Sequence, residues 1–148
     1  MSDAKILKFV DIFQDLNPDQ LALIYNICIE EVCSQGTIIV KENTPSTEMY
    51  VILDGQVEVL VGVDRNGRSL EKRVAMLDRG QSFGEIALVD EGLRTATVRC
   101  ISETCRLLEI SRSDLMNLLK EHTDIGFTVM FNLASDLCLK FRNLVFRV

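Results

Sequence analysis

The stretch Phe83–Val98, FGEIALVDEGLRTATV, gathers groups suited to a small anion within sixteen residues. Gly84 has no Cβ, so the backbone there can come close to a bound molecule. Glu85 follows with a carboxylate. Ile86 to Val89 reads as the start of a short helical turn whose backbone N–H groups can point at an anion. Arg94, nine positions after Glu85, adds a guanidinium fork matched to two phosphate oxygens. Thr95 contributes a hydroxyl and Ala96 keeps the approach clear. One acid, one base, a bare backbone and a hydroxyl suit a ligand with hydroxyl donors and a single phosphate.

Gly84-Glu85-Ile86-Ala87-Leu88 followed by Arg94-Thr95-Ala96-Thr97-Val98 resembles the phosphate-binding cassette of cyclic nucleotide-binding domains. These are the cAMP or cGMP sensors of kinases, ion channels and bacterial regulators. The resemblance implies that Arg94 pairs with the cyclic phosphate and that Glu85 accepts the ribose 2′-hydroxyl. It also implies that the N–H groups of Ile86 and Ala87 and the Thr95 hydroxyl complete the cradle. The motif is specific, with ten positions at the family's spacing. The bland alternative is a turn in which Glu85 and Arg94 merely pair at the surface.

A length of 148 residues is one domain's worth, 1–148. A net charge of −6 argues against a sequence-independent nucleic-acid surface, but not against a small anion held by a local Arg. No apolar run approaches 18 residues, so no transmembrane helix is expected. The N-terminus carries Asp3 and Asp11 and no cleavable apolar region, so it does not read as a signal peptide, and a cytoplasmic protein is expected. Five cysteines, an odd number, fit that compartment as free thiols. Cys28/Cys33 and Cys100/Cys105 each have C-x4-C spacing, with Cys138 alone. A relative of the family carries an iron–sulfur cluster on clustered N-terminal cysteines, but these spacings do not reproduce it. Buried, inert thiols and no metal are expected. His122 reads as a solvated helix-end residue.

Residues 1–35 are expected to be N-terminal helices. Ile6, Leu7, Phe9, Val10 and Phe13 recur at helical spacing. Asn17-Pro18 reads as an N-cap with Pro at the first helical position, opening a helix with Leu21, Ile24, Tyr25, Cys28 and Ile29 on one face and ended by Gly36. Between Thr37 and Phe83 the period changes to two. TIIVK, MYVIL, QVEVLVG and RVAML are strands bounded by turn residues, with Asn66-Gly67 and Asp54-Gly55 as hairpin signals. Thr97–Ile101 and Arg106–Ile110 add two more strands. The fold expected is α+β, mainly β: an antiparallel β-roll or jelly roll over 36–110, with helices before and after it. Asn43 stands where the family has Gly, and Asn tolerates left-handed backbone.

Ser111 is expected to cap a helix carrying Leu115, Leu118 and Leu119 within the C-terminal helices, 111–148. From Ile125 on, Phe127, Met130, Ala134, Leu137, Phe141, Leu144 and Val148 follow a 3-4 spacing, a heptad seam. Phe131, Cys138 and Val145 form a second row. A single helix folded on its own roll is one reading; a homodimer in which one row covers the roll and the other pairs with a second copy is the sharper one. No catalytic set or metal-ligand cluster accompanies Glu85, so a receptor module is expected rather than an enzyme. Its C-terminal helix would move on binding and signal to a downstream protein. The alternative is an adaptor of the same fold acting through protein contacts. For the base, Val59, Ala75 and Leu77 offer an apolar wall that leans towards cAMP, while Thr95 resembles cGMP-responsive members. Lys140 and Arg142 are the polar candidates on the terminal helix, and cyclic dinucleotides remain open.

Overall fold

The computed structural model describes residues 3–145. The described residues begin with two 3-10 helices, Asp3–Phe9 and Asp11–Phe13; Ile6, Leu7, Ile12 and Phe13 within them and Val10 between them are buried. Helix α1, Pro18–Tyr25, starts as its sequence directs. The Asn17 side chain accepts from the Gln20 N–H at 2.9 Å, and the Gln20 side chain returns to the Asn17 N–H at 2.9 Å. This closed capping box satisfies two end donors at once.

The helix stops at Tyr25, well before Gly36. Ile27 and Cys28 bond back to Ile24 and Tyr25 in a tight turn, and Ile29–Ser34 is strand β1, not helix. The expectation of helices throughout 1–35 is therefore corrected. Helical spacing continued through Cys28 and Ile29 by coincidence, and β8 (Thr104–Ser111) offers a free ladder edge that β1 takes along six residues. Gly36, at φ +87°, makes the turn into β2 (Ile38–Val40).

The remaining strands are β3 (Glu48–Asp54), β4 (Gln56–Arg65), β5 (Arg68–Asp78), β6 (Ser82–Phe83) and β7 (Thr97–Cys100). They form two four-stranded sheets in the orders β1-β8-β3-β6 and β2-β7-β4-β5, antiparallel wherever they pair. Asn66 and Gly67 both have positive φ, 52° and 75°, as a two-residue β4–β5 hairpin of the primed kind requires. Strand β3 is buried on both faces. Met49, Val51 and Leu53 face the helices, and Tyr50 and Ile52 face the inside of the roll, which explains why MYVIL does not alternate.

Ser111 caps α2 (Arg112–Glu121) by accepting from the Asp114 N–H at 3.1 Å. His122 sits at the end of that helix, half-exposed. Helix α3 (Thr123–Val145) follows directly. A Cβ on Gly126 would lie 2.4 Å from the Leu119 carbonyl, so only glycine lets the two helices approach this closely. Asn132 pins α3 to the N-terminal segment, donating to the carbonyls of Ile12 at 3.2 Å and Gln14 at 2.8 Å.

The row of α3 that docks is Ile125, Val129 and Leu133, four residues apart, with Met130 and Leu137 packing beside it. The heptad stripe expected from the sequence is thus split. Met130 and Leu137 turn towards the protein, while Phe127, Ala134, Phe141 and Leu144 are exposed. At about 100° per residue Phe127 lies roughly 160° round the helix from Val129, so the row it starts faces away from the core from its first residue. Val148 lies outside the described residues. In the second row, Phe131, Cys138 and Val145 are all exposed, so Cys138 is not the buried thiol expected.

Candidate functional site

Arg94 is held by its backbone before its side chain does anything. Its N–H donates to the Thr44 carbonyl at 2.7 Å, and its carbonyl accepts from the Asn43 N–H at 2.9 Å. Asn43 has φ +67°, the left-handed conformation that asparagine tolerates. The guanidinium is then buried, with the residue only 6 % exposed. Nη2 donates to the Glu48 carbonyl at 2.7 Å and meets Glu48 Oε1 at 3.4 Å. Nη1 is buried with no hydrogen-bond partner. A buried cationic donor left unsatisfied is costly, and such groups call for an explanation.

Gly84 stands against that nitrogen. Its φ is +84°, and a Cβ there would lie 2.7 Å from Arg94 Nη1. The glycine is needed twice, for a left-handed turn and for clearance. After it, Glu85–Leu88 forms a 3-10 turn. Ser82 Oγ donates to Glu85 Oε1, which orients the carboxylate from behind. The Ala87 N–H bonds to the Gly84 carbonyl at 3.0 Å and closes the turn.

A cavity of about 320 Å³ opens above these groups. Gly84, Glu85, Ile86, Ala87, Arg94, Thr95 and Ala96 line one side, and Val59, Ala75 and Leu77 of the β4–β5 pair line another. The surface pairing of Glu85 with Arg94 is not formed, because the partner of Arg94 is Glu48. Helix α3 closes the cavity with Leu133, Asp136, Leu137 and Lys140. Lys140 Nζ pairs with Asp136 at 2.9 Å, one helical turn back. Arg142 is not in the cavity; it lies on the outer side of α3 beside Phe131 and Cys138. The size and the apolar walls with few polar groups match small-ligand sites.

Sequence reasoning missed Ser82, Asp136 and Glu48. The i, i+4 spacing of Asp136 and Lys140 was a readable signal. Glu48, 46 residues from Arg94, left none. Around Glu48 the polar groups continue outward. The Tyr50 hydroxyl lies 3.4 Å from Glu48 Oε1 and 3.3 Å from Glu109 Oε1. Burial, with the neighbouring carboxylates of Glu31 and Glu48, pushes the Glu109 carboxyl up to about 7.

Residues 30–122 match the family model of the cyclic nucleotide-binding domain. The chain is similar to a cyclic nucleotide-gated channel of Caenorhabditis elegans, at 33 % identity over 80 % of this chain and 16 % of the channel. It is also similar to the cAMP-dependent protein kinase regulatory subunit of Blastocladiella emersonii, at 29 % identity over 76 % of this chain and 27 % of that protein. The chain thus spans about a quarter or less of these relatives' lengths. Among solved structures, the catabolite activator protein of Thermus thermophilus superposes with a TM-score of 0.80 at 26 % identity, covering 93 % of this chain and 61 % of that one. No helix among the described residues is long and apolar enough to cross a membrane.

Proposed function

The chain belongs to the cyclic nucleotide-binding domain family, and from that premise we propose that it is a receptor module for cAMP or cGMP whose terminal helix reports occupancy. The observation that carries this is Arg94 Nη1: a buried cationic donor without a partner, over a glycine, in a cavity with mostly apolar walls. An equatorial phosphate oxygen supplies the missing acceptor. Glu85, oriented by Ser82, accepts the ribose 2′-hydroxyl, and Thr95 adds its hydroxyl to the cradle. The purine lies against Val59, Ala75 and Leu77, with Asp136 and Lys140 on the facing wall as the polar groups within reach of its edge.

Coupling follows from the wall that α3 provides. A ligand touching Leu133, Asp136 or Leu137 binds one pose of the helix better than another, and it can shift the helix only by that difference in free energy. The reading involves no chemistry on the nucleotide: the module binds and signals to a downstream protein, in the cytoplasm. The exposed Phe127, Phe131, Phe141 and Leu144 support a homodimer along α3, since apolar patches of this kind mark interfaces. The adaptor reading, in which the same face acts without nucleotide, leaves the orphaned Arg94 donor without a purpose.

Calorimetry against cAMP, cGMP and a cyclic dinucleotide tests the proposal. Binding of one cyclic mononucleotide in the micromolar range or tighter is expected. No heat and no competition from any of the three at millimolar ligand would overturn it.

A further inference from the structure

Three thiols far apart in sequence meet at one end of the roll. The Sγ atoms of Cys33 on β1, Cys100 on β7 and Cys105 on β8 all lie within 4.8 Å of one another. Cys100 and Cys105 belong to different sheets and are buried, at 1 % and 0 % exposure, while Cys33 is half-buried. Cys33 is the direct cross-strand partner of Cys105.

The two buried sulfurs are 2.7 Å apart. That is closer than non-bonded sulfurs rest, and a short movement from a bond of roughly 2.05 Å. The surroundings hold them there. Cys105 Sγ lies 3.2 Å from the Gln56 carbonyl and 3.2 Å from Ser102 Oγ, and Cys100 Sγ lies 3.4 Å from the Ser102 carbonyl. Gly55 presses on the same spot: a Cβ there would stand 2.9 Å from Cys105 Sγ. An ion with metal–sulfur bonds of about 2.3 Å would have to spread Cys100 and Cys105 apart in this tight space. It would also bury charged thiolates. A disulfide needs only a closer approach and is neutral, which suits a buried position.

We propose that Cys100 and Cys105 are a reversible disulfide site, loaded through Cys33 by a small-molecule disulfide of the glutathione class. The half-exposed Cys33 thiolate attacks the external disulfide, forming a mixed disulfide and releasing one small thiol. Cys105 then displaces the second small thiol from Cys33, and Cys100 finally displaces Cys33 from Cys105. Two protein thiols are oxidised, one external disulfide is reduced to two thiols, and Cys33 is regenerated. Burial raises the Cys33 thiol above its ordinary value, so loading is slow. The bond would join the two sheets at the rung Val57–Cys100, separated by the Glu58–Arg99 rung from Val59–Val98, which walls the cavity.

The test uses the whole chain carrying Cys138→Ser, which removes the exposed thiol outside the cluster and leaves four cysteines of the original five. The reduced protein is incubated at about pH 8 in a glutathione buffer rich in the disulfide form, then denatured with excess alkylating agent and weighed. Two alkylations are expected on a chain lighter by two hydrogens, with peptide mapping linking Cys100 to Cys105. Adding Cys33→Ser should leave the same end product but slow its appearance about tenfold, because the accessible entry thiol is gone. The proposal is overturned by four alkylations at equilibrium, a stable mixed disulfide on Cys33, or a link from Cys33 to Cys105. An unchanged rate in Cys33→Ser, or a stoichiometric metal ion protecting the three thiols in fresh protein, also overturns it.

Discussion

Arg94 Nη1 sits where a Cβ on Gly84 would come within 2.7 Å of it, and it is buried there without an acceptor. In the proposed function a phosphate oxygen is the acceptor for this nitrogen. Arg94→Ala should therefore weaken cyclic nucleotide binding by about 2–4 kcal/mol, roughly 30- to 1,000-fold. Arg94→Lys should recover only part, since an ammonium lacks the fork. The ligand-free melting temperature of Arg94→Ala should fall little, because the orphaned donor is removed along with the Glu48 contact. Titration and thermal melts of the three proteins check this; unchanged affinity in Arg94→Ala would sink the site.

Gly84→Ala tests the other half of the pair. Its left-handed φ costs a non-glycine residue about 1–2 kcal/mol of stability, and the new methyl displaces Nη1. Stability and affinity should both drop, unlike the Arg94→Ala pattern. Denaturant unfolding beside calorimetry separates the two.

Glu85 is expected to act through the ribose. A 2′-deoxy cyclic nucleotide should bind the wild type worse than its parent, yet lose little more on going to Glu85→Gln. A cycle of two proteins and two ligands measures the coupling. Strictly additive losses would mean that Glu85, held by Ser82, only shapes the loop.

Glu109 sets a pH dependence of stability. Its carboxyl is raised to about 7 in the folded chain from an ordinary value of 4.5, first by burial and then by Glu31. Between those values the folded state holds more protons than the unfolded one, so stability falls as pH rises from about 4.5 to about 7 and levels off beyond. Glu109→Gln should flatten this slope and be the more stable protein at pH 8. Denaturant midpoints at several pH values read it directly, and parallel curves for the two proteins would count against the assignment.

Phe131 and Phe141 are exposed on α3, at 60 % and 64 %, whereas Leu137 packs inward and lines the cavity. Phe131→Glu with Phe141→Glu should thus convert the proposed homodimer to monomer without touching the core, because a charge buried there lacks a partner. Sedimentation at matched concentrations decides it. A wild type that stays monomeric at high micromolar concentration, with and without nucleotide, rules out the dimer.

Much of the candidate site could be read locally. Gly84, Glu85 and Arg94 lie within eleven residues of one another, and a phosphate cradle is built from neighbouring backbone and a nearby guanidinium. Asn17-Pro18 and Asn66-Gly67 were equally legible, because a cap and a primed turn are set by a few adjacent torsions. Packing across the chain decided the rest. Helix α1 stops where β8 offers Ile29 a ladder, and α3 turns its Ile125–Val129–Leu133 row inward because the core's hollow lies there. Glu48 reaches Arg94, and Cys33 reaches Cys100 and Cys105, only once the strands are paired. Local torsions and side-chain period are properties of neighbours in sequence; a contact between residues 46 or 67 positions apart exists only after the roll has closed.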